Sequence, residues 1–274
     1  MIAFSNCKIN LGLHIINKRE DGFHNLETVF YPIPLADSLE LIENDCNLFN
    51  SVSFKSFGLS IDGSLENNLI VKAYRLLAND FDLKAADFYL LKNIPMGAGL
   101  GGGSSNAAFA LKLLNNSLML NLSNKQLENY AAILGSDCAF FIENKPSYAT
   151  GRGEVLEPIN INLNGYFFVL VKPYIHVSTA EAFANVYKRG EGSIPLNELI
   201  KNPIEKWNDL IENDFEKSVF KHHPSIRLIK EKLYENGAIY ASMSGSGASV
   251  FGLFKTEIDL KSQYENDFYF SCKL

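Results

Sequence analysis

Apolar and polar residues alternate along residues 4–17, so that every second side chain is apolar. A period of two is typical of a strand with one buried face. Residues 26–42 and 51–61 are also rich in strand-favouring side chains, although Pro32 and Pro34 should break the first of these segments. The start of the chain is therefore predicted to be β-structure.

The apolar spacing changes to three and four residues in later segments, as on the buried face of a helix. Ser123, followed by Gln126 three residues later, is typical of a capping box. Pro224 should interrupt a long helical stretch. Helices are predicted over residues 67–81, 104–118, 123–134, 178–187, 213–235 and 256–264. Later strands are predicted over residues 88–94, 166–172, 239–242 and 249–255, followed by an aromatic strand near the end.

The most informative segment joins the strand at 88–94 to the helix at 104–118. Five of the seven residues from Gly97 to Gly103 are glycine. Without Cβ atoms, this backbone can adopt positive φ angles and approach a ligand closely. A helix that starts directly after such a loop points its first N–H groups and the positive end of its dipole at an anion. The segment therefore predicts a phosphate-binding loop.

Three other interpretations of this loop compete with that prediction. Residues 97–102 fit the dinucleotide pattern G-x-G-x-x-G, but the acidic residue expected about 20 residues later is missing from the turn at 121–124. The P-loop of nucleoside triphosphatases needs a Gly-Lys-Ser/Thr sequence, which does not follow these glycines. A flexible linker would not run directly into an apolar helix face.

Composition narrows the class of protein. The chain has 274 residues, 47% hydrophobic and 20% charged, which is typical of a soluble globular protein with room for two domains. A net charge of −6 argues against general nucleic-acid binding. No signal peptide and no apolar run of about 20 residues is visible. The four scattered cysteines fit reduced thiols, so a cytoplasmic protein is expected.

Several motifs together point to a known superfamily. Residues 95–108, which read PMGAGLGGGSSNAA, resemble the central motif of the GHMP kinases, which phosphorylate small molecules. Residues 7–11 (CKINL) resemble the opening strand of that family, and 243–249 (MSGSGAS) resemble its third motif. Residues 21–26 (DGFHNL) resemble a segment of the subfamily that phosphorylates 4-diphosphocytidyl-2-C-methyl-D-erythritol.

The resemblance implies a fold and a reaction. The fold would be of the α/β (α+β) class with two domains: an N-terminal, ATP-binding domain like domain 2 of ribosomal protein S5 over residues 1–150, and a ferredoxin-like, substrate-side domain over 151–274. The reaction would transfer phosphate from ATP, with Mg²⁺, to the 2-hydroxyl of 4-diphosphocytidyl-2-C-methyl-D-erythritol (CDP-methylerythritol). No nucleic acid and no membrane would be partners, and the protein would be a monomer or a weak homodimer.

Two residues are implied to be catalytic, Lys8 and Asp137. Residues 135–137 resemble the family segment that carries the catalytic aspartate, which would accept the proton of the attacking hydroxyl. The Lys8 ammonium would keep that carboxylate ionised and stabilise the transferred phosphoryl group. Alone, Lys8 could face water on an edge strand and Asp137 could be a cap or an ion-pair partner. A non-catalytic binding protein is a rival reading, which the presence of both residues disfavours.

The remaining implied contacts are with nucleotide and substrate. Ser104 and Ser105 could be helix caps, ligands of the β-phosphate and Mg²⁺, or both, and beyond Asp137 no acidic Mg²⁺ ligand stands out. Phe23 replaces the commoner tyrosine, which preserves stacking on cytosine but removes a hydroxyl. The implied nucleotide contacts are Asn68, Leu69, Lys92, Pro95, Met96, Gly97, Ala98, Gly99, Leu100, Gly101, Gly102, Gly103, Ser104 and Ser105. The implied substrate contacts are Asn10, Phe23, His24, Thr179, Phe183 and Gly245, with Phe183 facing Phe23 across the base.

Overall fold

The structure, a computed structural model, describes residues 1–184 and 193–274. They form two compact units. The first contains Met1–Cys7, Leu35–Met96 and Gly101–Lys145, and the second contains Lys8–Pro34, Gly97–Leu100 and Pro146–Leu274. The strands β1 (Ile2–Lys18) and β2 (His24–Phe49) pair with each other, and each supplies residues to both units. A domain boundary at residue 150 stays a prediction.

The first unit is a small sheet with helices. Its elements after β2 are β3 (Val52–Gly58), α1 (Leu69–Ala78), β4 (Lys84–Lys92), α2 (Gly102–Ser117), α3 (Asn124–Leu134) and α4 (Phe140–Glu143). β4 lies between β3, to which it is parallel, and β2, to which it is antiparallel. α1 and α2 pack against each other, and the buried face of α2 is rich in alanine and leucine. β4 therefore leads the chain directly from the middle of the sheet into the glycine segment before α2.

The second unit contains the rest of the elements. They are β5 (Ser147–Thr150), β6 (Val155–Pro158), β7 (Phe167–Lys172), α5 (Thr179–Phe183), α6 (Leu196–Leu199), α7 (Trp207–Leu210), α8 (Phe215–His222), α9 (Pro224–Glu235), β8 (Tyr240–Met243), β9 (Val250–Phe254) and β10 (Phe268–Lys273). β5 joins β2 to β6, while β10, β7, β9 and β8 form an antiparallel sheet. α8 and α9 contribute Val219, Ile226 and Leu233 to a core that also contains Val169 and Val250 of that sheet.

Most of the predicted elements are confirmed. Ser123 and Gln126 form the expected reciprocal capping box at the start of α3. α8 ends at His222 and α9 starts at Pro224. At the first position of a helix no N–H group is needed for an intrahelical hydrogen bond, so proline is tolerated there. α5 begins the helix predicted over 178–187, of which residues 185–187 lie outside the described residues. Within residues 1–184 and 193–274, no helix is long and apolar enough to cross a bilayer.

Two predictions about local structure are wrong. β2 is not broken at Pro32 and Pro34, because its ladder with β5 ends at Phe30 and its ladder with β4 starts at Ser38. The prolines lie between these two ladders, where their missing N–H groups interrupt neither of them.

The helix predicted over residues 256–264 is reduced to a 3₁₀ turn at Lys261–Gln263. The Asp259 carboxylate accepts the Lys261 N–H at 2.9 Å, and Leu260 and Tyr264 are buried in the core of the second unit. A side chain that bonds to the nearby backbone competes with helical hydrogen bonds, and this favours a turn.

Candidate active site

The start of α2 is built to receive an anion. Gly101 precedes the helix in the left-handed region, at φ +68°, and the first intrahelical bond runs from the Ser105 N–H to the Gly101 carbonyl at 2.8 Å. The N–H groups of the first turn therefore point out of the helix end, and the sequence places no acidic residue among them. A Cβ at Gly102 would lie 2.9 Å from a methyl carbon of Ile94. Glycine is thus required where the helix begins.

A cavity of about 290 Å³ opens in the first unit. Its walls combine apolar groups such as Phe54 and Ile61 with a few polar ones such as Asp62, which suits a planar base with a sugar. The Asn68 side chain, which also lines the cavity, accepts the Ile70 N–H at 2.9 Å and so caps α1. The predicted nucleotide contacts that line this cavity are Asn68, Leu69, Lys92, Met96 and Gly103.

The Lys92 ammonium is buried and ion-paired. Lys92 is 1% exposed, and its Nζ contacts a carboxylate oxygen of Asp37, which is fully buried. Burial lowers the pKa of Lys92, and the Asp37 carboxylate opposes that shift. The ammonium lies 3.1 Å from the position that a Cβ of Gly102 would occupy. Lys92 therefore places its charge beneath the first residue of α2.

Asp37 holds several segments of the first unit together, and the sequence analysis did not single it out. Besides Lys92, it accepts the N–H groups of Asn93 and Ile94 at 2.7 and 2.8 Å and the Asn106 side-chain amide at 2.8 Å. Asn106 in turn donates to Ser5 at 2.8 Å. Its position in the sequence could have indicated its role. Asp37 falls among the buried positions of an alternating strand, where a charged residue needs partners.

Asp137 lies in the turn between α3 and α4 and is half-buried. Its neighbour Cys138 is fully buried, and the Cys138 thiol lies close to the Ser104 side chain. Burial raises the pKa of this thiol to about 12, so Cys138 stays protonated and is no nucleophile. Because Ser104 belongs to the first turn of α2, the turn of Asp137 lies beside the end of the helix that is predicted to bind an anion.

In the second unit, the Lys8 ammonium is held by a set of fixed acceptors. Lys8 is 3% exposed, and its Nζ donates to the Asn10 side-chain oxygen at 2.7 Å and to the Gly99 carbonyl at 3.3 Å. The ammonium also lies 4.8 Å from the centre of the Phe30 ring. The Lys8 N–H bonds to the Leu100 carbonyl at 3.0 Å. The predicted catalytic lysine therefore does not face water as a simple edge-strand lysine would.

The turn after β8 packs directly on the glycine segment of the second unit. A Cβ at Gly99 would lie only 1.9 Å from the Ser244 carbonyl oxygen, so only glycine fits there. The Ser244 hydroxyl donates to the Gly99 carbonyl at 2.9 Å. Asn213, which the sequence analysis missed, donates to the carbonyls of Met243 and Gly245 at 2.7 and 2.8 Å and fixes this turn. Gly245 itself is buried, at φ +56°.

The predicted pyrimidine-binding residues also lie in the second unit. The His24 ring stacks on Phe183 with 4.5 Å between centroids and 16° between planes, and Phe183 packs edge-on against Phe215. Phe23 is 55% exposed, with the Arg152 guanidinium 5.1 Å from its ring centre. Burial, and then the charge of Lys18, lower the pKa of His24. A neutral imidazole offers one donor and one acceptor.

These aromatic contacts differ from the predicted arrangement in one respect. One face of the Phe183 ring, which was expected to meet a base, is covered by His24. Thr179 is exposed at the start of α5, one turn before Phe183. A pyrimidine between Phe23 and Phe183 stays a prediction, and it would require the His24 ring to leave that face.

A buried network next to these residues was not predicted. Glu27 is 6% exposed, and its carboxylate contacts His14 Nδ1 at 2.9 Å, the Leu196 N–H at 3.0 Å and the Tyr148 hydroxyl. Burial would raise the pKa of Glu27, but the hydrogen bonds from His14 and Tyr148 lower it below its ordinary value. The carboxylate therefore stays ionised and ties β2 to β1, to β5 and to the start of α6.

Family models match both parts of the chain. The GHMP kinases N terminal domain matches residues 68–145, which include α1, α2, Asp137 and one side of the cavity of the first unit, at Asn68, Leu69 and Lys92. The GHMP kinases C terminal model matches residues 196–266, which include Asn213 and the turn at Gly245. The fold and these two matches define a small-molecule kinase of the GHMP class, and they confirm the predicted α/β fold class.

Full-length relatives narrow the class. The chain is 54% identical over 276 residues to a 4-diphosphocytidyl-2-C-methyl-D-erythritol kinase of Bacteroides fragilis, covering 100% of both chains. It is 54% identical to the enzyme of that name from Bacteroides thetaiotaomicron, covering 94% of this chain and 93% of the relative. A crystal structure of 4-(cytidine 5'-diphospho)-2C-methyl-D-erythritol kinase matches with a TM-score of 0.76 at 28% identity, covering 92% of this chain and 90% of that one. The chain therefore belongs to the 4-diphosphocytidyl-2-C-methyl-D-erythritol kinase family.

The Asp37 network gives a first prediction. Asp37→Asn leaves the buried Lys92 ammonium without its counter-ion, and breaking such a pair destabilises a protein by about 3–5 kcal/mol. The free energy of unfolding, measured by urea denaturation, should fall by that amount. In the double variant Asp37→Asn, Lys92→Met, part of the loss should be recovered, because no unpaired charge remains.

Glu43→Gln is the matched control for this prediction. Glu43 lies on the same strand, contacts Ser117 at the other end of α2 and forms an ion pair with Lys84 that is partly exposed. We expect it to change stability by no more than about 1 kcal/mol. Equal stability of Asp37→Asn and Glu43→Gln would contradict the role given to the buried pair.

Proposed function

We propose that the protein transfers a phosphoryl group from ATP to the 2-hydroxyl of 4-diphosphocytidyl-2-C-methyl-D-erythritol, a step of isoprenoid precursor synthesis. The observation that carries the proposal is the aromatic set Phe23, His24 and Phe183 in the second unit, on a chain whose full-length relatives bear the name of this activity. A pyrimidine can stack on such rings, and an imidazole can bond to its polar edge.

The first unit supports the nucleotide side of the proposal. The cavity at Asn68 and Leu69 accommodates adenosine, and the first turn of α2 receives the phosphates. Among the side chains that the structure describes, those of residues 1–44, 50–184 and 193–274, no group of three acidic, histidine or cysteine residues forms a closed metal site. That fits Mg²⁺, which proteins commonly bind through one or two side chains and the phosphates of the substrate. Asp137 and Ser104 would hold Mg²⁺, whose charge would neutralise the phosphate oxygens.

Lys8 and Asp137 carry the proposed chemistry. Phosphoryl transfer needs chiefly alignment and stabilisation of the charge on the transferred group. Lys8 supplies a positive charge whose position is fixed by Asn10 and Gly99. Asp137 accepts the proton of the attacking hydroxyl. Each role is assigned from the residue's own surroundings and from the family resemblance of its segment.

The pyrimidine is proposed to bind through exchange with His24. In the exchange, the base takes the place of the His24 ring on Phe183, and His24 turns to the polar edge of the base. Phe23, with Arg152 on one face of its ring, supplies the second stacking surface. These contacts would distinguish a cytidine diphosphate from the small acids and alcohols that other GHMP kinases phosphorylate.

The direct test is a panel of acceptors. The purified protein is incubated with ATP, Mg²⁺ and CDP-methylerythritol, homoserine or mevalonate, and the products are identified by phosphorus NMR. We expect a new phosphomonoester only with CDP-methylerythritol. Turnover of homoserine or mevalonate alone would contradict the proposed acceptor, and binding of nucleotide without any turnover would favour a non-catalytic protein.

Removal of the proposed base gives a second prediction. Asp137→Ala should lower kcat by about 10²–10⁴-fold while KM for ATP and for the acceptor changes little, because a positioned base acts mainly in the transition state. Asp80→Ala, which removes an exposed aspartate of the first unit, is the control and should keep wild-type kcat. Near wild-type turnover by Asp137→Ala would remove Asp137 from the mechanism.

The lowered pKa of His24 gives a third prediction, on pH dependence. Since the neutral ring binds the base, protonation weakens binding, and the lowered pKa keeps the ring neutral below the ordinary value of 6.5. KM for the acceptor should therefore stay constant as the pH falls to about 6.5 and rise only at lower pH. Lys18→Gln removes a charge that lowers this pKa, so it should shift the rise to higher pH.

The control for pH dependence is His24→Gln. This variant should show a raised KM for the acceptor and no such rise at low pH, because no titrating ring remains at the base. An identical pH profile of wild type and His24→Gln would contradict the role of His24.

A further inference from the structure

Thr28 lies on β2, is 1% exposed and contacts two polar groups of β1. Its hydroxyl oxygen is 2.6 Å from the Gly12 carbonyl oxygen and 2.9 Å from the Asn10 side-chain nitrogen. No role was predicted for Thr28 from the sequence, and neither the nucleotide nor the acceptor contacts include it. All of these groups belong to the second unit.

The contacts of the Thr28 hydroxyl allow only one arrangement of the hydrogen atoms in its two hydrogen bonds. A threonine hydroxyl has one hydrogen, and a backbone carbonyl is an acceptor only. The hydrogen must therefore point to Gly12, and the Thr28 oxygen accepts from the amide NH₂ of Asn10. If the amide of Asn10 were reversed, two acceptor oxygens would face each other in a buried site, which is unfavourable.

The orientation of the Asn10 amide decides what the Lys8 ammonium meets. With its NH₂ group toward Thr28, Asn10 turns its oxygen to Lys8 Nζ, which lies 2.7 Å away. A reversed amide would place an NH₂ group against the ammonium. Because Lys8 is 3% exposed, water cannot easily replace the lost acceptor. The hydrogen bond from the Thr28 hydroxyl to Gly12 thus fixes the orientation of the Asn10 amide, and this orientation determines which Asn10 atom faces Lys8.

The Ser244 hydroxyl does not supply the same constraint. Ser244 is 2.9 Å from the Gly99 carbonyl and 3.4 Å from the Asn10 oxygen, so its one hydrogen is committed mainly to Gly99. Among the side chains described for residues 1–44, 50–184 and 193–274, Thr28 is the one hydrogen-bond partner of the Asn10 amide nitrogen. The orientation of the amide therefore depends on Thr28.

We propose that Thr28 is a positioning residue for phosphoryl transfer, which sets the Asn10 amide so that its oxygen holds the Lys8 ammonium in place. The inference rests on the proposed function, in which Lys8 stabilises the transferred group. Thr28 itself touches neither the reacting atoms nor the nucleotide; it acts through Asn10. Asn10 is also an implied substrate contact, so the loss of Thr28 should lower the rate of the chemical step more than it changes the binding of either substrate.

The test compares two substitutions that differ in whether they keep the hydroxyl. Thr28→Val keeps the shape and removes the hydroxyl, whereas Thr28→Ser keeps the hydroxyl and removes a methyl group. We expect Thr28→Val to lower kcat about tenfold, the equivalent of one hydrogen bond, with KM for both substrates within about twofold of wild type. Thr28→Ser should restore kcat to within about twofold of wild type.

Thr150→Val is the matched control, because it removes a half-buried hydroxyl from the neighbouring strand β5 and should leave kcat unchanged. If Thr28→Val does not fold, Thr28→Cys, with a similar volume and only a weakly bonding thiol, replaces it with the same expected direction. Two outcomes would overturn the proposal and leave Thr28 a structural residue: an equal decrease of kcat in Thr28→Val and Thr28→Ser, or a lower unfolding temperature of Thr28→Val with unchanged kcat.

A crystal structure of Thr28→Val without substrates separates this inference from the proposed function. We expect the contact between Lys8 Nζ and the Asn10 oxygen to be lost in that variant and kept in Thr28→Ser. A retained contact in Thr28→Val would overturn the inference whatever the protein phosphorylates. Failure of the wild-type protein to phosphorylate CDP-methylerythritol would overturn the proposed acceptor and would leave this structural comparison as the deciding one.

Discussion

The close approach of two backbones, at Gly99 and Ser244, is the constraint on which the surroundings of the proposed catalytic lysine depend. The Ser244 carbonyl oxygen lies where a side chain at residue 99 would be, so the two turns can meet only because Gly99 has no Cβ. That approach brings the Gly99 carbonyl within reach of both the Ser244 hydroxyl and the Lys8 ammonium. One glycine therefore determines where the positive charge of the proposed catalytic lysine is held.

The first unit places a second buried lysine by different means. Lys92 is neutralised by the Asp37 carboxylate, which also accepts the N–H groups at the end of β4 and the amide of Asn106. A buried ion pair is tolerated when its remaining hydrogen-bonding groups are satisfied. The strand that leads into the glycine segment and the helix that follows it are thereby attached to the same side chain.

The sequence predicted the elements whose causes are local. Helix periodicity, the capping box at Ser123, the proline at the start of α9 and the glycine loop each depend on neighbouring residues, and each is confirmed. Asp37, Asn213 and Thr28 escaped prediction because their partners are distant in sequence: Asn213 bonds to Gly245, Asp37 to Lys92 and Thr28 to Asn10. The helix predicted over 256–264 failed for a related reason, since burial of Leu260 and Tyr264 favoured a turn over the periodic pattern.

The family motifs identified the lysine, whereas the structure shows why its neighbours are polar. A lysine that must remain charged in a buried site needs acceptors, and an amide is a useful acceptor only if something fixes which end faces the ammonium. In β1 the acceptor is Asn10, and the group that fixes it is a threonine on β2 whose own hydrogen is taken by Gly12. Asn10 orients Lys8, Thr28 orients Asn10, and the Gly12 carbonyl orients Thr28. A backbone carbonyl can only accept a hydrogen bond, so the series has a fixed end. The position of the Lys8 charge, proposed to be catalytic, thus depends on the backbone of the strand that carries it.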